Sequence, residues 1–502
     1  MKIIKFKKIS AGLFLLVVGL FSCQTELLSP VPATSLSDLV VFDNAARVLL
    51  QVNGLYTSVK SGNFLGGRYL IYSDVRANDF INRTQNAVTA SQVWNHTLTE
   101  TSTNDVINMW NSAYAGINQI NVFLDGMEAN SGKFVPPNFP TDFATVTAPQ
   151  YIAEARLLRA LSYYSLLQLY ARPFTDGNGS KPGLPLRLLA EKSSLNSDLA
   201  RSSVGEIYTQ ILADLNFAEQ NLPVNYSTAT LRVTRAHKNT AIALKTRVYL
   251  SMGNYASVIT EANKLAPQTA APFSSPIGPT HALQSSIANV FASPQETLES
   301  IFSFPFTANN TPGGQNQLGF YYLSSTAVAG VAPVGGGEFS LNSTASGLVA
   351  NTVDLPTTDA RRTNFIYTVG GEFYLKKYNG GTPYIEKAPM IRYAEVLLSL
   401  SEAIARTNGD NTRALNLLNA VRARSGKPVL AVATNAQIAD QVVIERRVEF
   451  LGEGLRNGDL MRLNATIPAK GPVLAVQPSE SKYIWPIPQP ELATNLLMTR
   501  ND

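Results

Sequence analysis

The segment IERRVEFLGEGLRNGDLMRL, residues 444–463, places Glu445, Glu449 and Glu453 at four-residue intervals beside Arg446, Arg447, Arg456 and Arg462. Two chemistries suit carboxylates at this spacing. One is acid/base catalysis of glycosidic bond hydrolysis, which needs two carboxyl groups facing each other across the sugar, about 5–9 Å apart. The other is a charge network that fixes how helices dock. A four-residue interval puts all three glutamates on one helix face, roughly 6 Å between neighbours. Side chains rising in parallel from one face cannot flank a substrate. The arginines also offer bidentate partners that keep carboxylates ionised, the opposite of what a general acid requires. The segment is therefore expected to be architecture.

Other reactive constellations are missing from the sequence. His96, His237 and His281 are the three histidines, and no two stand at metal-ligand spacing. There is no H-E-x-x-H, C-x-x-C or D-x-D-x-D-G element, and no G-x-S-x-G elbow. GGQNQLG (313–319) lacks the Lys-Ser/Thr of a phosphate loop. No metal or cofactor is expected. A glycosidase remains open on this reading, because its two carboxylates carry no local motif.

These residues must be positioned by a chain of 502 residues with 45% hydrophobic and 15% charged content, enough for a large core. The formal charge of +5 is concentrated at the start. Lys2, Lys5, Lys7 and Lys8 precede any acid, and without residues 1–22 there are 37 basic against 36 acidic residues. That balance argues against nucleic acid as a partner. The lysines lead into the apolar run ISAGLFLLVVGLF and then SCQ, the pattern of an export signal over 1–22. The run is shorter than the roughly 20 residues needed to span a bilayer. Cys23 is the only cysteine, so no internal disulfide forms, and Leu20 and Ser22 before it match a bacterial lipobox. Lipidation of Cys23 is expected, with residues 23–42 as a tether.

From residue 43 onward the pattern predicts a mainly α fold. Apolar residues recur at three- and four-residue spacing over 43–61, 105–127, 151–171, 203–222, 236–251, 254–265, 391–407, 411–424 and 436–463. Several form helix–turn–helix pairs, one closing at Gly253 and another with Gly409 as C-cap and Asp410 or Asn411 as the next N-cap. Ala241, Ala243, Ala403 and Ala405 allow close helix approach. The expected architecture is a tetratricopeptide-like helix-pair scaffold, with an N-terminal helical region over 43–309 and a C-terminal one over 386–502. Between them, 310–385 is expected to be a loop-rich insert. Twelve of the 33 glycines fall in 310–382, and FIYTVGGEFYLKKY (365–378) fits a short β-hairpin with a Gly-Gly turn.

A sugar site needs aromatic faces for C–H patches and amides, carboxylates or arginines for hydroxyls. Trp94, in the polar context SQVWNHT, is the leading platform, with Tyr72, Asp74, Arg76 and Asp79 of YSDVRANDF as polar candidates. The insert adds Phe320, Tyr321 and Tyr322 of GFYYL. Trp110 and Trp485 are expected in the core.

The opening segment resembles the I-x-x-E-R-x-x-E-F-x-x-E-G-x-R-x-x-D-L-x-R signature of the SusD/RagB family, the surface nutrient-binding lipoproteins of Bacteroidetes. MIRYAEVLLSLSEAIARTNG with ALNLLNAVRARSG is similar to the family's preceding helix pair, and YIWPIPQPEL to its C-terminal W-P-I-P element. EARLLRALSYYSLLQLYARPF resembles its E-x-x-x-L-R-A-x-x-Y helix, with Ala171 in place of the usual glycine, and DARR (359–362) its D-x-R loop. The resemblance implies a tetratricopeptide-like scaffold anchored by Cys23 on the cell outer membrane and exposed at the surface. It implies capture of an oligosaccharide, or less often a peptide, for a TonB-dependent, SusC-like transporter barrel, without catalysis. The alternatives are a surface glycoside hydrolase and a helical-repeat scaffold for protein assembly. Because the shared motifs are structural, no ligand contact carries over.

Replacing Cys23 with alanine is expected to move the protein from the membrane to the soluble fraction without changing its melting temperature. Fractionation followed by thermal denaturation checks both halves, and retention in the membrane at the wild-type level would contradict the lipid anchor.

Overall fold

The computed structural model describes residues 40–193 and 197–501. Cys23, the leader and most of the expected tether lie outside them. Val41 and Phe42, expected within the tether, are instead buried. The Phe42 ring lies 6.3 Å from that of Phe123 and fills the space beside Gly126, so the packed body starts before residue 43.

Helical periodicity is realised as a continuous stack. The helices are α1 (Ala45–Val59), α2 (Arg68–Val75), the short α3 (Ser91–Asn95), α4 (Asn108–Ala129), α5 (Ala148–Tyr170), α6 (Val204–Asn221), α7 (Lys238–Ser251) and α8 (Tyr255–Ala262), joined by shorter turns. In the C-terminal part they are α9 (Tyr393–Arg406), α10 (Asn411–Arg424), α11 (Asn435–Glu449) and α12 (Arg456–Arg462). Packing runs in sequence from α1 through α4, α5, α6, α7 and α8 to α9, which then contacts both α10 and α11. Each pair thereby covers its neighbour's apolar face, as stacked helical pairs require. The helix α5 is buried on nearly every side from Ala153 onward and forms the centre of the stack. Ala403 of α9 packs with Leu250 and Val258, so this one of the four alanines sits at a helix crossing.

Caps delimit these helices where side chains permit. Ser203 and Glu206 form a capping box on α6, and Thr434 and Gln437 form one on α11. Asp410 caps α10 through the Arg413 amide. The turn before it differs from expectation: Asn408, with φ of 53°, takes the left-handed position expected of Gly409.

Among the described residues, three small sheets complete the fold. The expected hairpin forms between β-strands Ile366–Val369 and Glu372–Leu375, with Gly370 and Gly371 both at positive φ as a tight two-residue turn needs. It extends through Phe339–Leu341 to Phe80–Asn82 from the N-terminal half, in the register Phe80↔Leu341 and Leu341↔Phe373. The loop-rich region is therefore stitched to the helical body by a shared sheet. At its base, Ser300–Phe304 pairs antiparallel with Ala388–Arg392 and draws its two ends together.

The largest departure from helical spacing lies in the opening segment. A single helix over 436–463 is expected, but α11 stops at Glu449 and α12 starts at Arg456. Gly452 and Gly454, at φ of 84° and 76°, turn the chain between them. A side chain at Gly454 would place its Cβ 2.5 Å from Leu70 Cα of α2. The Gly454 amide meanwhile donates to Asp74 at 2.9 Å.

Gly454→Ala is expected to destabilise the protein by more than the roughly 1–2 kcal/mol cost of a left-handed alanine, because backbone must also move. Gly370→Ala, equally left-handed but with open space around its Cβ, is expected to cost only that strain. Denaturant unfolding of the two variants gives the comparison, and equal losses would contradict the close approach.

Candidate functional site

At the end of α11, Glu445 and Glu449 are fully buried and Glu453 nearly so. None of the four local arginines pairs with them. Their partners come from remote segments. Arg361 bridges Glu445 at 2.5 Å, Glu449 at 3.1 Å and Asp359 at 2.6 Å. Arg392 reaches Glu299 at 2.5 Å, Glu449 at 3.0 Å and Glu453 at 2.7 Å. Arg424 joins Glu299 and Glu449, Arg422 and Lys427 hold Glu445, and Lys377 holds Glu453. Six cations thus surround five carboxylates.

Helix geometry explains why the neighbouring arginines point elsewhere, since successive residues diverge by about 100° around the axis. Arg446 binds Asp459, which also binds Arg462, and Arg462 pairs with Glu402. Arg447 pairs with Asp79. Arg456, also expected to serve the glutamates, makes no ion pair within 4 Å among the described residues, and its Nε has no partner. Burial pushes that guanidinium down.

The electrostatics exclude a general acid here. Burial alone raises Glu445, but Arg361, Lys427 and Arg422 outweigh it and hold the carboxyl below its usual range. Burial acts the same way on Glu449, and Arg424, Arg392 and Arg361 hold it far lower. Both stay ionised, as members of a structural network.

The structure does bring the expected ligand contacts together, but inside the protein. Trp94 is 2% exposed and its Nε1 donates to Phe80 O at 2.8 Å. Tyr72 is fully buried, accepts from Arg68 at 3.1 Å and lies 5.4 Å from the Trp485 ring. Tyr321 and Tyr322 are fully buried too, the first stacked on Phe339 at 6.2 Å and the second 5.0 Å from Phe80. Asp74 takes the Gly454 amide and is pushed up to about 8 by burial, against that hydrogen bond. Arg76 donates to Asn457 and to backbone carbonyls, and Asp79 is consumed by Arg447. None of these seven side chains lies on the outer surface, and of them Arg76 lines a cavity beside α3. The polar context of Trp94 misleads because α3 is amphipathic within five residues: Val93 and Trp94 turn inward, Gln92 and Asn95 outward.

Phe320 is the exception. It is half-buried and meets the half-buried Tyr384 edge to face at 6.2 Å, with exposed Val334 and Ile385 beside them. The Tyr384 hydroxyl donates to Val334 O at 2.7 Å, which fixes the ring. Sequence reading missed Tyr384. Its one signal is the surrounding GGTPYIE loop, where Gly381 and Tyr384 itself hold positive φ.

Two open concavities flank α4. One, about 400 Å3, is lined by Trp110, Tyr114, Asn118, Arg187 and Glu491, a mixture suited to a sugar. Its polar groups are already committed: Asn118 to the Glu191 backbone, Tyr114 to Pro185 O, and Trp110 to Glu491. The other, about 790 Å3, lies between α1 and α4 and has few aromatic faces. Among the described residues no three His, Cys, Asp or Glu side chains converge as a metal site requires. His237 and His281 stack at 5.4 Å, and burial pushes them down to about 3 and about 4. No helix among the described residues is long and apolar enough to cross a membrane.

Comparison with known proteins matches this architecture. A family model described as starch-binding and associating with the outer membrane covers residues 47–250, and the SusD family model covers 338–502. Two SusD-like proteins of Formosa agariphila, P38 and P2, are 23% and 24% identical, over 96% and 99% of both chains respectively. A SusD superfamily structure from Bacteroides fragilis superposes with a TM-score of 0.79 at 29% identity, covering 91% of this chain and all of that one. The surface glycan-binding protein A of Bacteroides uniformis shares the fold, with a TM-score of 0.72 at 19% identity over 91% of this chain and 99% of its own.

Glu449→Ala is expected to cost about 3–5 kcal/mol of folding stability, the penalty for leaving buried cations without their countercharge. Chemical denaturation measures it. A loss below about 1 kcal/mol would show that Glu449 is not part of the framework.

Proposed function

Since the chain belongs to the SusD/RagB family, we propose that it is a surface nutrient-binding protein that delivers an oligosaccharide to a TonB-dependent transporter barrel. The match of residues 47–250 to a starch-binding, outer-membrane-associated model carries this reading. A lipid on Cys23 would hold the body, in which Val41 and Phe42 are already buried, at the outer membrane.

The protein acts by binding alone. Glu445 and Glu449 are each held ionised by three cations, so neither can serve there as a raised-pKa acid. A rigid helical stack with its loop-rich region on one sheet supplies a fixed platform, where recognition loops ordinarily reside. The Phe320–Tyr384 pair is the aromatic surface on that region we assign to the sugar. Two rings at right angles, one locked by its hydroxyl, offer apolar contact at little entropic cost.

Phe320→Ala and Tyr384→Ala are each expected to weaken glycan binding by about 1–3 kcal/mol with melting temperature nearly unchanged. Calorimetry over a panel of oligosaccharides provides the test, with product analysis expected to find no new reducing ends. Full-strength binding by both variants would move the site to the Trp110–Tyr114 cleft. Turnover surviving purification would establish a hydrolase.

A further inference from the structure

The W-P-I-P element near the C-terminus closes a cavity of about 200 Å3 against α3, lined by Arg76, Val93, His96, Lys482, Trp485 and Pro486. It lies apart from the Phe320–Tyr384 surface, and its charges are out of balance. Arg76 is 1% exposed, yet it donates only to uncharged acceptors: Asn457 Oδ1 at 2.9 Å, Met461 Sδ at 3.9 Å, Lys482 O at 3.2 Å and Tyr483 O. It makes no ion pair within 4 Å among the described residues. Burial pushes this guanidinium down to about 10, opposed only by Tyr483. Lys470 stands behind it, equally buried, with its Nζ on the carbonyls of Val75 and Arg76. At the rim, Lys482 has only an exposed pair with Glu480, at 3.1 Å.

The charge of these cations acts on one ring. Burial lowers His96 to about 2, and Lys470, Arg76 and Lys482 all push in the same direction. Its Nε2 is buried without a partner. The Trp485 indole is 1% exposed and wedged between Tyr72 and Tyr170, each 5.4 Å away, and its Nε1 also has no acceptor. A buried cation without a countercharge and an N–H without an acceptor are both costly. One negatively charged acceptor in the cavity would satisfy both.

We propose that this cavity binds a small oxyanion group (sulfate, phosphate or carboxylate) held by Arg76, Lys482 and the Trp485 indole N–H. The neutral His96 ring completes the donor set from Nε2. The site does not depend on the glycan reading, because the same group arrives either as a free ion or as a substituent on a larger ligand.

Isothermal titration of the full-length protein in detergent, at constant ionic strength, tests the site with inorganic sulfate, a sulfated monosaccharide and its unsulfated parent. Saturable binding of sulfate near one per chain is expected. Lys482→Gln and Trp485→Phe should each weaken it by about tenfold, the loss of one charge-assisted hydrogen bond. Both variants leave Arg76 and its structural hydrogen bonds in place. Tighter binding of the sulfated sugar than of sulfate supports a substituent as the natural source, and equal binding supports a free ion. Absence of saturable binding of either anion, or unchanged binding in both variants, would overturn the proposal.

Discussion

The buried pairing of Glu449 with Arg361, Arg392 and Arg424 is the constraint on which the rest of the structure depends. Taking ions out of water costs several kcal/mol each, so the arrangement persists only when every member finds its partners. Those partners arrive from four places: the loop-rich region at Arg361, the strand Ala388–Arg392, helix α10 at Arg424, and Glu299 just before its strand. Satisfying the charges therefore sets the position of the insert against the C-terminal helices. A hydrophobic contact in the same place would tolerate sliding; the bidentate hold of Arg392 on Glu453 and of Arg361 on Asp359, beside Glu449, does not.

The same logic repeats across the molecule. Arg159 is bidentate on Asp214, with both bonds at 2.8 Å, and joins α5 to α6. Arg247 holds Glu395 and joins α7 to α9. Arg447 on Asp79 couples α11 to the strand that enters the shared sheet. Helix packing supplies the bulk of burial, and the ion pairs select one docking of the helices among several that would bury similar area. In this account the carboxylates are committed to architecture, which leaves ligand recognition to loops outside the network.

Much of the scaffold was legible in the sequence because helix pairing depends on local periodicity. The bounds of α10, the Asp410 cap and the Gly-Gly hairpin all follow from nearest-neighbour chemistry. The break after Glu449 was not legible, since the glutamates keep helical spacing while Gly452 and Gly454 leave the helix. Partners of those glutamates were also invisible: Arg361 and Glu449 stand 88 residues apart. All the ligand candidates but Phe320 are buried for a related reason. A polar neighbourhood in sequence does not report exposure when Asp79 finds its counter-ion 368 residues away. Phe320 gains a partner only because the fold brings residue 384 beside it.

The central claim is that these buried charges form an interdependent framework, and a double-mutant cycle between Arg392 and Glu449 tests it most directly. Unfolding free energies would be measured for Arg392→Met, Glu449→Leu and the pair together. The framework account predicts strong coupling, with the double variant more stable than the sum of the single losses by at least about 1 kcal/mol. Losses that add to within about 0.5 kcal/mol would mean that the two residues act independently, and would contradict it.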